Sequence, residues 1–272
     1  MKTLVLANQK GGVGKSAVGT LLSHYLVQKG QRVLAIDFDH QGNFSTPLRL
    51  SRRTSIAAVT SDALLTESHE AIPEAPFVLV QSDRRLSQLE RQREQHSPFA
   101  RNFRAFLKAM DQRFDVCVID TNPNPDIRLI AALASANFVL SPIQLNQEAM
   151  DGVDGLLNHD RVGIRKIKAF LNAKLELIGL LPTLVEPTPF QKANFRQLIE
   201  RYLSLLIRLS PEPGDVAFVP KRSAIAESQG SGEVLWEMKK TAARDTWKEI
   251  EPSIAKIAGV VATLGERHGT AA

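Results

Sequence analysis

The residues best suited to chemistry lie near the N-terminus, in Lys10-Gly11-Gly12-Val13-Gly14-Lys15-Ser16. Glycines let a backbone curl tightly enough for several N–H groups to face one anion. A helix opening where the curl ends adds the positive end of its dipole. In that setting Lys15 would reach the β- and γ-phosphates of a nucleotide, and the Ser16 hydroxyl would ligate Mg²⁺. The expected phosphate cradle is Gly11, Gly12, Val13, Gly14, Lys15, Ser16 and Ala17. The usual loop of this kind carries glycine where Gln9 stands; here that glycine is absent and Lys10 stands inside the loop.

Carboxylates follow at two further places. Asp37 and Asp39 end an apolar run, in Asp37-Phe38-Asp39-His40-Gln41-Gly42-Asn43. Residues i and i+2 of a strand point to the same side, so both acids would face a nucleotide held at the strand's carboxyl end. One can hold a magnesium-bound water and the other can orient the attacking water. We assign Asp37 to the metal and Asp39 to the water. A second apolar run, Phe114-Asp115-Val116-Cys117-Val118-Ile119-Asp120, ends in Asp, the Walker-B pattern, which places Asp120 near the same metal.

Positioning these groups requires strands that end side by side. Val/Ile/Leu-rich runs at 3–7, 32–37, 77–81, 115–120, 138–141, 176–181 and 216–219 read as strands buried on both faces. Between the first two, Val18, Leu21, Leu22, Tyr25 and Leu26 recur at helical spacing and Gly30 supplies a stop. Further helices are expected at 98–110, 125–134, 147–157, 189–209 and 234–264, the last interrupted near Pro252. The alternation predicts an α/β fold with a doubly wound, mostly parallel central sheet. No linker-like stretch divides the chain, so residues 1–264 read as one domain and 265–272 as a flexible tail. The first strand leaves no room before it for a helix-turn-helix module.

Together these segments carry a family resemblance. The stretch Ala7 to Ser16 resembles the deviant Walker A loop of the ParA/MinD family of P-loop ATPases. Asp37 to Asn43 is similar to that family's Asp-x-Asp-Pro-Gln-Gly-Asn, with His40 in place of proline. Asp120-Thr121-Asn122-Pro123 is similar to its Asp-Thr-Pro-Pro, with Asn122 as a departure. Ser82 to Leu86, Val219-Pro220-Lys221-Arg222 and Glu227 echo ParA sequences, the short ones in particular. The resemblance runs from the first strand to about Val234.

It implies an ATP- and Mg²⁺-dependent homodimer that sandwiches two nucleotides. Lys10 would reach the partner subunit's phosphates, a second cation for charge developing on the transferred group. Pro220 joins the nucleotide-binding residues on the same ground. The ATP dimer would bind DNA without sequence preference. A ParB-type centromere-binding protein would then stimulate a slow hydrolysis and so drive plasmid or chromosome segregation in the bacterial cytosol. Two arginines that family members use on DNA fall on Thr188 and Ala224 here. Lys192, Arg196, Lys221 and Arg222 are the candidate substitutes.

Composition bounds the alternatives. The net charge is +5, with cations concentrated between residues 84 and 113 and between 161 and 208, which suits a polyanionic partner. The lone cysteine, Cys117, excludes an internal disulfide and an iron–sulfur carrier role. No run approaches the roughly 20 apolar residues of a membrane helix. A MinD-like membrane ATPase would need a basic, aromatic-bearing amphipathic C-terminus. Residues 253–266 offer Lys256 balanced by Glu266 and no aromatic, so no membrane partner is expected. A regulatory protein that binds ATP but scarcely hydrolyses it is the remaining alternative.

Overall fold

Apolar runs without alternation form strands that are covered on both faces. The computed structural model describes residues 1–67, 72–146, 149–212 and 214–269. Its strands are β1 (Lys2–Leu6), β2 (Val33–Asp37), β3 (Ser55–Ile56), β4 (Phe77–Val80), β5 (Val116–Asp120), β6 (Phe138–Gln144), β7 (Glu176–Val185) and β8 (Val219–Pro220). They join in the order β3-β4-β2-β5-β1-β6-β7-β8, and every pairing is parallel. This is the doubly wound α/β sheet that the alternation predicts.

Parallel neighbours need crossover connections, and helices supply them. In chain order they are α1 (Lys15–Gln28), α2 (Ser45–Leu50), α3 (Ala63–Thr66), α4 (His96–Met110), α5 (Ile127–Ser135), α6 (Ala149–Asn158), α7 (Ile164–Phe170), α8 (Pro189–Tyr202), α9 (Ser223–Ser231) and α10 (Thr241–Gly269). One core lies between the sheet and α4 and α5, built around Phe38, Phe103, Phe114 and Leu129. The other lies on the opposite face against α1 and α10, around Leu22, Phe44, Phe138 and Ile254. Gly19 lets α1 sit close on β1, since a Cβ there would stand 2.7 Å from Leu6 Cδ1.

Chain order reverses around β1. Such a switch point opens a crevice at the carboxyl ends of the strands, where ligands of open α/β sheets bind. Register places Leu6 beside Asp120 and Asp120 beside Asp37, so the phosphate loop and both acidic strand ends meet at one edge.

Several expected bounds shift. The helix expected across 189–209 stops at Tyr202. Beyond it Leu206 bridges Leu180, and Ala217 N–H donates to the Ile207 carbonyl, so tertiary pairing overrides the helical periodicity. The strand expected at 216–219 reduces to β8. The helix expected from 234 begins at Thr241, after a 3₁₀ turn at Leu235–Glu237. It continues through Pro252 instead of breaking there, without the hydrogen bond that an N–H at that position would donate to the Lys248 carbonyl. Asp126 caps α5, which therefore begins after the expected 125. The expected start of α6 at Gln147 lies outside the described residues. α10 is helical as far as Gly269, within the stretch expected as a tail, and 270–272 lie outside the described residues.

Candidate nucleotide and metal site

The loop between β1 and α1 turns on glycines in the left-handed region, Gly12 at φ 73° and Gly14 at φ 81°. Other side chains strain there. Gly14 is also the N-cap of α1, so the loop's curl ends where the helix dipole begins. Neighbouring strands and α6 pin the loop from outside. Asn8 Nδ2 donates to the Pro142 carbonyl at 2.8 Å, while its Oδ1 accepts Lys10 N–H at 2.8 Å. Gln9 Nε2 donates to the Gly155 carbonyl at 3.0 Å. The Thr183 hydroxyl, on β7, lies 2.7 Å from the Val13 carbonyl oxygen and 3.0 Å from that of Ile143. Lys15 curls back over the loop, its Nζ donating to the carbonyls of Asn8 at 3.1 Å and Lys10 at 3.2 Å. Burial lowers its pKa, against the pull of Asp120 and Asp39.

The acids stand beside it. Ser16 Oγ donates to Asp120 Oδ2 at 2.6 Å. The other Asp120 oxygen, Oδ1, is buried without a hydrogen-bond partner among the described residues. Asp37 Oδ2 accepts both Ser45 N–H at 2.8 Å and Ser45 Oγ–H at 2.7 Å, and its Oδ1 accepts Asp39 N–H at 3.0 Å. A cation at Asp37 would have to use the lone pairs these three bonds leave over. Asp39 Oδ1 accepts Gln41 N–H at 3.0 Å and lies 3.5 Å from His40 Nδ1. Burial and the neighbouring Asp37 push the Asp120 carboxyl up from 3.8 to about 8. Burial likewise pushes Asp37 up to about 6 against hydrogen bonds from Ser45. An orphaned buried carboxylate oxygen beside a serine hydroxyl, in a pocket with surplus negative charge, fits a hard divalent cation.

The structure therefore gathers Lys15, Ser16, Asp37, Asp39 and Asp120 at one edge, with Lys10 on the same loop. Pro220 reaches that edge from β8, paired with Val185. The candidate DNA residues follow β7 and β8 at the same edge but differ among themselves. Lys192 and Arg196 are exposed one turn apart on α8. Lys221 pairs with Glu186 at 3.3 Å, and Arg222 makes a forked pair with Glu249 at 2.9 to 3.1 Å. Thr188 is the N-cap of α8, and Ala224 is buried. A cavity of about 630 Å³ between α1 and α10 lies at the amino end of the strands, away from this chemistry.

Sequence reasoning missed Ser45, Thr183 and the buried pair Asp126 and Arg128, and read Asn122 only as a departure from a motif. Asp126 had a legible signal, since an Asp just before an apolar helical run is an N-cap pattern. The partners of Ser45 and Thr183 are remote in sequence and left no local trace.

A glycine-curled loop joining a strand to a helix, with acids ending two adjacent strands, defines a phosphate-loop nucleotide-binding protein. The AAA domain family matches residues 1–177. Protein IncC of Escherichia coli is 35% identical over 261 residues, spanning 92% of this chain and 67% of that one. The chromosome-partitioning ATPase Soj of Thermus thermophilus is 30% identical over 192 residues, 68% of this chain and 70% of Soj. The chain belongs to the ParA/MinD family of deviant Walker-A P-loop ATPases. The same fold occurs in cobyrinic acid a,c-diamide synthase of Mycobacterium smegmatis, solved with a bound ATP analogue and magnesium. The two share a TM-score of 0.70 at 24% identity over 92% of this chain and 93% of that one.

Proposed function

We propose that this chain is a DNA-partition ATPase. The observation that carries the reading is the pairing of Ser16 with a half-satisfied, buried Asp120 directly beneath a loop over which Lys15 is folded. The partners of Lys15 are neutral carbonyls, which a triphosphate anion outcompetes. On ATP binding Lys15 turns to the β- and γ-phosphates, and the N–H groups of Gly11 to Ala17 take the remaining oxygens. Ser16, Asp120 and Asp37 would hold Mg²⁺, which neutralises phosphate charge when bound. Asp39, with Oδ2 free of the Gln41 contact, orients the attacking water.

Family membership supports the rest. Lys10 acts across an ATP-dependent homodimer, and the dimer binds DNA phosphates through Lys192, Arg196, Lys221 and Arg222. A ParB-type protein stimulates slow basal turnover, and the protein works in the cytosol on the nucleoid. Residues 1–264 act as one ATPase domain. No helix among the described residues is long and apolar enough to cross a membrane.

The test is ATP-dependent retention of random-sequence duplex DNA, with phosphate release followed in parallel. Retention with ATP, lost in Lys15→Ala, is expected. Equal retention with and without ATP would sink the switch, and absence of phosphate release with DNA and partner present would favour the non-hydrolysing alternative.

A further inference from the structure

Both positions at which the acidic motifs depart from the family's pattern, His40 and Asn122, belong to one hydrogen-bonded chain, and a buried arginine is its centre. Arg128, on the first turn of α5, is 3% exposed. Its Nε donates to Asp126 Oδ2 at 3.0 Å, and its Nη2 donates to the same carboxylate. Asn122 Nδ2 donates to that Oδ2 at 2.9 Å. The remaining nitrogen, Nη1, leaves α5 altogether. It points at the loop after β2, 3.5 Å from the Phe38 carbonyl oxygen and 3.3 Å from His40 Nδ1. Those residues flank Asp39 on either side.

Arginine is never an acceptor, so His40 Nδ1 accepts in the contact with Nη1, and Asp39 Oδ1 lies 3.5 Å from the same ring nitrogen. The guanidinium's planar fork fixes all of this at once: one edge is locked to Asp126, and the other aims at the Asp39 loop. Burying an arginine is expensive unless its partners are complete, and a buried ion pair is by itself weak evidence of a stabilising role.

We propose that Arg128 is a positioning residue for ATP hydrolysis, holding Asp39 in its water-orienting pose through Phe38 O and His40 Nδ1, with Asp126 and Asn122 setting the guanidinium. The proposal rests on the reading of Asp39 given above. It separates two duties at the site: the phosphate loop binds nucleotide, while the α5 terminus sets the angle of the hydrolytic acid.

The experiment compares Arg128→Lys, His40→Ala, Asp39→Ala and the doubles Arg128→Lys/Asp39→Ala and His40→Ala/Asp39→Ala. Affinity for a fluorescent ATP analogue and the single-turnover rate of ATP cleavage are measured for each. Arg128→Lys is expected to slow cleavage by about ten- to a hundredfold, the scale of a misplaced catalytic group, with affinity held within about threefold. His40→Ala, whose ring is 31% exposed, follows in the same direction with a smaller loss. Each double should be no slower than Asp39→Ala alone, because both side chains act through Asp39. Losses that multiply with Asp39→Ala, or a parallel loss of affinity, would overturn the proposal in favour of a purely structural arginine. Should Arg128→Lys not fold, the His40→Ala pair decides alone: normal cleavage in it overturns the proposal. Normal cleavage in Asp39→Ala is a different outcome, which removes the reading of Asp39 itself.

Discussion

The edge of the sheet that holds the phosphate loop and the basic surface beside β7 and β8 handle charge in opposite ways. At the loop, Lys15, Asp37, Asp120 and Arg128 are all buried, and each is held by named partners at hydrogen-bond distance. On the surface, Lys192 and Arg196 stand exposed, while Lys221 and Arg222 are drawn onto Glu186 and Glu249. A buried charge is fixed in place because leaving it unpaired is costly. An exposed one is set by whatever acid the fold happens to bring near, and it is worth little in stability. The first arrangement encodes a reaction geometry. The second encodes only a field.

The contrast is broken most directly at Lys15. Lys15→Ala should weaken ATP binding by at least about a hundredfold, the scale of removing one member of a buried charge pair. Titration with a fluorescent ATP analogue measures it, and tight binding would end the phosphate-loop assignment. Lys10→Ala should keep ATP but fail to form the ATP dimer, as read by molecular mass with ATP and Mg²⁺. A variant that dimerises normally removes Lys10 from its role across the interface.

Asp39→Ala sharpens the comparison by separating binding from turnover. Water orientation is lost while phosphate contacts survive, so hydrolysis should fall by about a hundredfold or more. The ATP dimer should persist and remain on DNA longer than wild type. Unchanged phosphate release would reduce Asp39 to a turn residue.

A third effect is smaller and reports burial itself. In the metal-free chain the Asp120 carboxyl is pushed from 3.8 to about 8. An acid with a raised folded-state pKa is penalised as the pH climbs. Below about 4 the carboxyl is protonated in both states; between about 4 and 8 the unfolded chain ionises and the folded one resists. Thermal stability should therefore fall across that window and level off above it. Asp120→Asn should flatten the profile, and Mg²⁺ with ATP should flatten the wild type. An identical slope in Asp120→Asn would show that the penalty lies elsewhere.

This division also explains what was legible in the sequence. Gly12, Gly14, Lys15 and Ser16 were readable because a tight anion-binding turn permits few residues at few positions. Asp37 and Asp120 were readable because they end apolar runs that can only be buried strands. β3, α2 and α3 were not, being too short to show a period. The stretch after Tyr202 carried a helical pattern, but its pairing with Leu180 and Ala217 depends on contacts that no local window contains. The same limit applied to the surface: Lys221 and Arg222 read as free cations, and their acids lie 35 and 27 residues away.

That pairing yields the smallest and most discriminating prediction. A cation already matched by an acid must lose that partner before it neutralises a phosphate, so the four surface residues should not contribute equally to DNA binding. Each phosphate neutralised adds roughly −0.9 to the slope of log K against log salt. Removing Lys192 or Arg196, present once per subunit, should flatten the slope of an ATP dimer by roughly two. Removing Lys221 or Arg222 should flatten it by less, and removing Glu186 or Glu249 should steepen it, because a cation is released to the phosphates. Base-reading contacts would make the losses depend on sequence, whereas phosphate contacts lower all sequences alike. The measurement is a salt titration of random-sequence duplex binding for each single variant. If reversing all four charges leaves binding unchanged, the DNA surface lies elsewhere, and the basic stretch between 84 and 113 becomes the place to look, with the nucleotide site untouched by that result.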